Sequence, residues 1–171
     1  MPAYNMLTKL SVASPDLEAL RHLNNEHAQQ LSYTDPEHFR GLIERSFFAA
    51  SVNETEAFLI AFDQQADYQS PHFLWFKKIF PRFVYVDRLA TATQARGRGH
   101  AITLYDALFS AARAERYSMV VCEINEIPPN PVSVALHARF GFVKVGEQTL
   151  PAAGEDETAG FRTVGYYVKR F

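Results

Sequence analysis

The chain has a single cysteine, Cys122, among its 171 residues. An intrachain disulfide is therefore impossible, and so is a metal centre built from several thiolates. Its six histidines are scattered without ligand-like spacing, so no metal site is expected. Long apolar runs are missing too. No stretch approaches the ~18–20 apolar residues that a membrane-crossing helix needs. The opening residues mix charge and polarity, as in Leu20-Arg21-His22-Leu23-Asn24-Asn25-Glu26, unlike a secretory leader. Nor is there a basic excess. Lys and Arg number 17 against 19 Asp and Glu, whereas nucleic-acid binders carry a basic surplus or stripe. The expectation is a cytoplasmic protein whose partners include neither membrane nor nucleic acid.

What is present suits one globular domain spanning residues 1–171, with enough apolar content to bury a core. Residues 7–13 read as a first strand. Ser14-Pro15-Asp16 then has the form of a helix start, followed by Leu17, Leu20, Leu23, His27 and Leu31 along one helical face. Thr34-Asp35-Pro36-Glu37 repeats the start signal before Phe39, Leu42 and Ile43. Residues 47–52 and 57–62 form a hairpin turning at Asn53-Glu54, and residues 63–81 read as a polar and aromatic connection into a β-rich run, 82–90. The strongest helix spans 97–116, with Ala101, Leu104, Tyr105, Leu108 and Ala112 on one face, and 119–124 is a compact strand. Pro128-Pro129-Asn130-Pro131 breaks that strand and opens a helix that stops at Gly141. Two last strands, 142–145 and 164–169, flank an acidic loop at 151–160. The hairpin implies antiparallel pairing in the first half, and the strand–helix–strand units imply parallel pairing in the second. The fold class is α/β, at the α+β boundary: a mixed central sheet flanked by about four helices.

One segment carries chemistry. Gln94-Ala95-Arg96-Gly97-Arg98-Gly99-His100-Ala101 lies between a β-rich run and the strongest helix. Glycines turn the backbone tightly, and the first N–H groups of a helix lack internal partners, so such a turn suits a phosphate. Arg96 and Arg98 add charged donors. A nucleotide P-loop requires Gly-Lys-Ser/Thr, but the chain has Gly-His-Ala. A dinucleotide fingerprint requires a third glycine where Ile102 stands. The alternative is a structural turn with solvated arginines.

Gln-x-x-Gly-x-Gly opening a long helix resembles the pyrophosphate-binding motif of the GNAT acetyltransferase superfamily. Residues 130–142, running from Asn130-Pro131-Val132-Ser133 through His137 to Gly141-Phe142, are similar to that family's second conserved block. The Pro-Pro-Asn-Pro run and Asp87-Arg88 resemble one bacterial branch of it. The resemblance implies two neighbouring parallel strands that splay apart around the pantetheine arm of acetyl-CoA. The arm would pair with backbone at Leu89, Ala90 and Thr91, and the diphosphate would rest on the turn formed by Gln94, Arg96, Gly97, Arg98, Gly99, His100 and Ala101. Asn130 and Ser133 would form the opposite wall. An amine would attack the thioester directly, with Asp87 or Glu123 as base, a backbone N–H near Leu89 or Ala90 for the oxyanion, and His137 as acid where many members have tyrosine. Strand alternation puts Asp87 on one face with Tyr85 and Leu89.

Each role has a plainer counterpart: an ion pair for Asp87, a turn cap for Glu123, a structural hydrogen bond for His137. Asn24 and His27 read as a buried polar pair or as acceptor contacts. The aromatics from Tyr68 to Phe83 serve an acceptor pocket, a dimer contact or the core, and Tyr166, Tyr167 and Phe171 would suit a homodimer. The functional expectation is acetyl transfer from acetyl-CoA to a primary amine of a small or amino-acid-like acceptor. The alternatives are a CoA-binding sensor without turnover and an enzyme acting on a protein N-terminus or lysine.

Overall fold

The computed structural model describes residues 5–152 and 160–171. The acidic loop expected at 151–160 lies largely outside them. Strand β1 (Leu7–Lys9) is shorter than expected, and the helix start falls at Asp16. Helix α1 (Leu17–Glu26) buries Leu17, Leu20, Leu23 and Asn24, then breaks at His27. There the His27 ring bonds the Leu23 carbonyl at 3.0 Å and its N–H tightens onto Asn24, so the one expected helix becomes two. The second is α2 (Ala28–Leu31). Helix α3 (Pro36–Arg45) starts as its sequence demands, with Asp35 accepting from the His38 N–H at 2.7 Å and Pro36 in the first turn.

Strands β2 (Phe48–Val52) and β3 (Ala57–Asp63) form the expected antiparallel hairpin, with Asn53 and Glu54 both at positive φ in its turn. Helix α4 (Pro71–Ile79) occupies the stretch read as a connection. Its Ser70-Pro71 start signal matches that of α3, and the Ser70 hydroxyl accepts from the His72 N–H. Its crowded aromatics masked the spacing of the buried His72, Phe73 and Phe76. Then follow β4 (Val84–Thr91), a 3-10 turn (Thr93–Ala95), α5 (His100–Ala114), β5 (Met119–Ile127), α6 (Pro131–Arg139), β6 (Val143–Pro151) and β7 (Phe161–Arg170). Among the described residues six α-helices flank the sheet instead of about four.

The seven strands lie in the order β1-β2-β3-β4-β5-β7-β6. Within this mixed sheet only β4 and β5 pair in parallel. β5 and β6 run the same way but do not pair, because β7 folds back between them and is antiparallel to both. Helices α1, α3 and α4 cover one face, packing Leu20, Phe39, Phe73 and Phe76 onto Phe58, Phe62, Tyr85 and Tyr166. Helix α5 covers the other, with Leu104, Tyr105 and Leu108 against Val84, Val86, Val120 and Cys122. The sheet thus has two buried faces, and a gap in it connects two distinct environments.

Trp75 clamps the far end of the sheet, stacking on Tyr166 with centroids 4.1 Å apart and lying over Gly146. A Cβ at Gly146 would sit 2.5 Å from the indole ring. Gly146→Val is therefore expected to destabilise the fold by about 1–3 kcal/mol, as overpacked cores do. Urea denaturation measures this; unchanged stability would mean that the indole is not held over Gly146.

Candidate active site

β4 and β5 pair at only two positions, Val84 opposite Val120 and Tyr85 opposite Val121. Beyond them β4 follows β3, while β5 follows β7 as far as Ile127. A bulge in β4 marks the divergence: Val86 lies opposite Ala61 and Arg88 opposite Ile60, leaving Asp87 as the extra residue. The bulge also changes the faces. Tyr85 joins the α1–α4 core, whereas Leu89 packs with the α5 core, so the expected shared face of Tyr85, Asp87 and Leu89 does not form. The parting strands open a cavity of about 380 Å³. Leu89, Tyr105, Cys122 and His137 line it on the α5 side, and Tyr33, Tyr68, His72 and Arg162 on the α1–α4 side.

Asp87 and Glu123 both line this cavity, in unlike states. Each Asp87 oxygen has a partner: Tyr68 donates to Oδ1 at 2.8 Å and Arg88 to Oδ2 at 3.1 Å. Arg88 is held in turn by Asn24 Oδ1 at 2.7 Å. Burial pushes the Asp87 carboxyl up, opposed by Arg88 and Tyr68. Glu123 makes no ion pair among the described residues, and its Oε2 is buried without a hydrogen-bond partner. Tyr85 lies near enough to act on that carboxyl, yet its own hydroxyl is equally unpartnered. Burial, with the Asp87 charge second, pushes Glu123 up to about 8.

His137 is buried near the end of α6. Its Nδ1 lies 2.7 Å from the Ser133 carbonyl, which fixes the proton there, and its Nε2 accepts from the Tyr105 hydroxyl at 2.6 Å. Burial pulls the imidazole below its usual range, keeping it neutral, and pushes the Tyr105 phenol well up. Asn130 caps α6 by accepting from the Ser133 N–H at 3.3 Å.

The glycine turn lies outside the cavity, at the start of α5. Gly97 and Gly99 adopt φ of 76° and 80°, values that side chains rarely tolerate, and a Cβ at Gly97 would meet nothing within 4 Å. Among the described residues the N–H groups from Gly97 to Ile102 have no acceptor; the first bond of the helix is from Thr103 to Gly99. That row of free donors is what an anion requires.

A match to the Acetyltransferase (GNAT) family covers residues 20–142. The chain belongs to the GNAT acetyltransferase family. It is therefore an acyltransferase, and acetyl-CoA is the co-substrate that family membership implies. No curated protein matches it by sequence. Among solved structures, NAA60 of Arabidopsis thaliana in complex with acetyl-CoA is 15% identical with a TM-score of 0.71, the match covering 97% of this chain and 100% of that one. An N-acetyltransferase from Staphylococcus aureus Mu50 is 18% identical at TM-score 0.69, covering 98% and 99%. The ribosomal-protein-S18-alanine N-acetyltransferase of Escherichia coli is 14% identical at TM-score 0.67, covering 96% and 94%. At these identities the likeness is one of fold.

In this GNAT chain the cavity gathers Asp87, Leu89, Glu123, Asn130, Ser133 and His137. Ala90, Thr91 and the turn residues Gln94, Arg96, Gly97, Arg98, Gly99, His100 and Ala101 do not line it. The His100 ring turns away and bonds Glu56 at 2.7 Å, leaving only its backbone to face a ligand. Arg96 rests on His27 at 3.3 Å and Arg98 on Glu56 at 3.2 Å. Tyr33, Tyr105 and Arg162 are among the cavity residues that the sequence did not place in the site. Tyr105 sits on the apolar stripe of α5 and reads as core, and Arg162 belongs to no motif.

Glu123 carries a stability cost with a definite pH dependence. Its carboxyl titrates near 8 in the folded chain against 4.5 ordinarily, so the folded state loses stability as pH rises through that window. Below the window both states hold the proton; above it, folding must bury a charge. At ~1.4 kcal/mol per pH unit, Glu123→Gln is expected to stabilise the protein by about 3–5 kcal/mol at pH 9, and far less at pH 4.5. Chemical denaturation of both proteins at the two pH values decides it, and an equal gain at each would show that burial does not hold Glu123 neutral.

Proposed function

We propose that this chain acetylates the primary amine of a small or amino-acid-like acceptor by direct attack on acetyl-CoA. The unpartnered Glu123 carboxyl, set in a breach of the sheet open to both faces, carries this reading. The family's co-substrate supplies an acetyl group activated as a thioester. The residues present fit it. The free N–H groups from Gly97 to Ile102 suit its diphosphate. Arg96 and Arg98 hold only exposed partners, which a phosphate can displace. The β4 edge at Leu89, Ala90 and Thr91 is unpaired on the side facing β5, so an extended arm can add to it as a strand does. Asn130 and Ser133 form the other wall.

An alkylamine with pKa ~10.4 is neutral in fewer than roughly one molecule per thousand at pH 7, so removal of its proton matters. The new N–C bond forms as the C–S bond breaks, the amine loses one proton and the sulfur gains one. Glu123 is the proton acceptor, with a pKa near working pH and a free oxygen. Asp87 is occupied; it holds Tyr68 and Arg88, and its charge helps to keep the Glu123 pKa high. A backbone N–H near Leu89 or Ala90 would supply the donor for the developing oxyanion. His137, with both ring nitrogens engaged, holds the Tyr105 hydroxyl beside the cavity; to protonate the departing sulfur that hydroxyl turns its one proton away from His137 Nε2. The described residues share one sheet, which supports one catalytic domain across residues 1–171.

Calorimetric titration tests the cofactor claim. The protein is expected to bind acetyl-CoA and CoA at micromolar concentrations and to ignore NADH. Gly99→Asp should abolish binding and Gly99→Asn should largely keep it, since both tolerate positive φ and only one brings a charge to the diphosphate. Equal affinities in the two variants would remove the turn from the binding site.

The chemistry predicts a pH profile. With acceptor saturating, kcat should rise with pH to a plateau above about 8, Glu123→Gln should lower it at least ~100-fold and abolish that inflection, and Tyr105→Phe should slow turnover without weakening CoA affinity. A Glu123→Gln enzyme of normal rate would assign the base elsewhere. Affinity for CoA with no thiol release from any amine or peptide would favour a sensor.

A further inference from the structure

Across the cavity from the cofactor side lies a cation that the reaction scheme does not use. Arg162, near the start of β7, lines the cavity and makes no ion pair among the described residues. Its Nε is buried with no hydrogen-bond partner there. Arg88, the other guanidinium in the wall, is by contrast consumed by Asp87, Asn24 and the Ser32 carbonyl. Unpartnered buried donors are rare in folded proteins, and a guanidinium that carries one in a cavity wall is accounted for by a ligand that supplies the acceptor.

The guanidinium is held in place. Its Nη2 lies 3.4 Å from His72 Nε2, His72 Nδ1 lies 3.0 Å from the Tyr166 hydroxyl, and that hydroxyl donates to Gln148 Oε1 at 2.8 Å. Burial and the neighbouring Arg162 charge pull His72 down to about 4, so its ring is neutral at pH 7. One consistent set of protons follows. Arg162 donates to His72 Nε2, His72 Nδ1–H donates to Tyr166, and Tyr166 donates to Gln148. Among the described residues His72 is the one side chain that bonds the guanidinium, and Tyr166 and Gln148 hold His72 in turn, so the remaining donors of Arg162 are uncommitted there. A guanidinium with uncommitted donors in a cavity wall is suited to an oxyanion.

We propose that Arg162 is the acceptor's anion subsite, so that the substrate is a primary amine carrying an oxyanion, an amino acid or its phosphonate analogue. The inference rests on the acyl-transfer reading and narrows it. Glu123 and Arg162 lie on adjacent strands and line the same cavity, close enough for the Arg162 charge to act on the Glu123 carboxyl. A single small molecule can then present its amine to Glu123 and its anion to Arg162. A peptide N-terminus has an amide where the second group is needed, and would leave the guanidinium unpaired.

The test is thiol release from acetyl-CoA by the full chain, using a panel of amino acids, their amides and their aminoalkylphosphonate analogues. At least one acid or phosphonate should exceed its matched amide ~10-fold or more in kcat/KM, and which of the two wins identifies the oxyanion. Arg162→Gln should raise KM for that substrate ~10-fold or more, erase the preference over the amide, and leave acetyl-CoA affinity unchanged; Arg162→Lys should restore part of it. Amides used as well as acids, an Arg162→Gln enzyme with its preference intact, or acetyl-CoA binding without turnover of any anionic amine would each overturn the subsite. Failure to bind acetyl-CoA is a separate result, and it removes the acyl-transfer reading itself.

Discussion

Two parallel strands that pair for two residues and then separate leave a row of backbone donors and acceptors unpaired in the middle of a sheet. Such groups are costly to bury, and most sheets avoid them by keeping neighbours in register. Here β4 stays with β3 and β5 with β7, and the bulge at Asp87 turns the lower half of β4 away from its parallel neighbour. The gap persists because each strand is fully paired on its other edge and packed on both faces, with Phe58, Phe62 and Tyr85 buried on one side and Leu104, Leu108 and Val120 on the other. The unpaired edge of β4 is left able to accept an extended ligand arm in the manner of an added strand.

The same gap sets the electrostatics. The two carboxylates at its rim face each other across a desolvated space, and the protein treats them differently. Asp87 is hydrogen-bonded by Arg88 and Tyr68; Glu123 makes no ion pair among the described residues, and the charge of Asp87 adds to the effect of its burial. The unequal partnering leaves the Asp87 carboxyl held by two donors and the Glu123 carboxyl with an oxygen that has no partner among the described residues. On the opposite face the buried Tyr105–His137 pair stays neutral, so the phenol keeps its proton, shared with His137 Nε2.

Much of the fold was legible because its signals were local. The caps and prolines before α3 and α6, the Asn53-Glu54 turn and the stripe of α5 all announced themselves within a few residues. The misses were failures of local reading. Helix α4 has a capping residue followed by proline, as α3 and α6 do, but its aromatics suited any packed segment. His27 ended α1 through a side-chain bond to a carbonyl, which apolar spacing does not encode. The insertion of β7 between β5 and β6 is a choice among non-local pairings, and the Asp87 bulge exists only relative to β3.

That distinction explains an asymmetry in the candidate site. The cofactor half is made of consecutive backbone, a turn from Gly97 to Ile102 and one strand edge, so its glycines appear in a row and can be recognised without a structure. The acceptor half is assembled from single side chains on separate segments: Tyr33 after α2, Tyr68 and His72 around α4, Glu123 on β5, Arg162 on β7. No spacing links them, and each alone has an ordinary structural meaning. An acetyl donor common to a whole family can be read from a motif, whereas an acceptor peculiar to one chain is written in contacts that exist only after folding. Arg162 shows the difference most sharply: in sequence it is one of many surface-type cations, and in the fold it lines the cavity with no ion pair among the described residues.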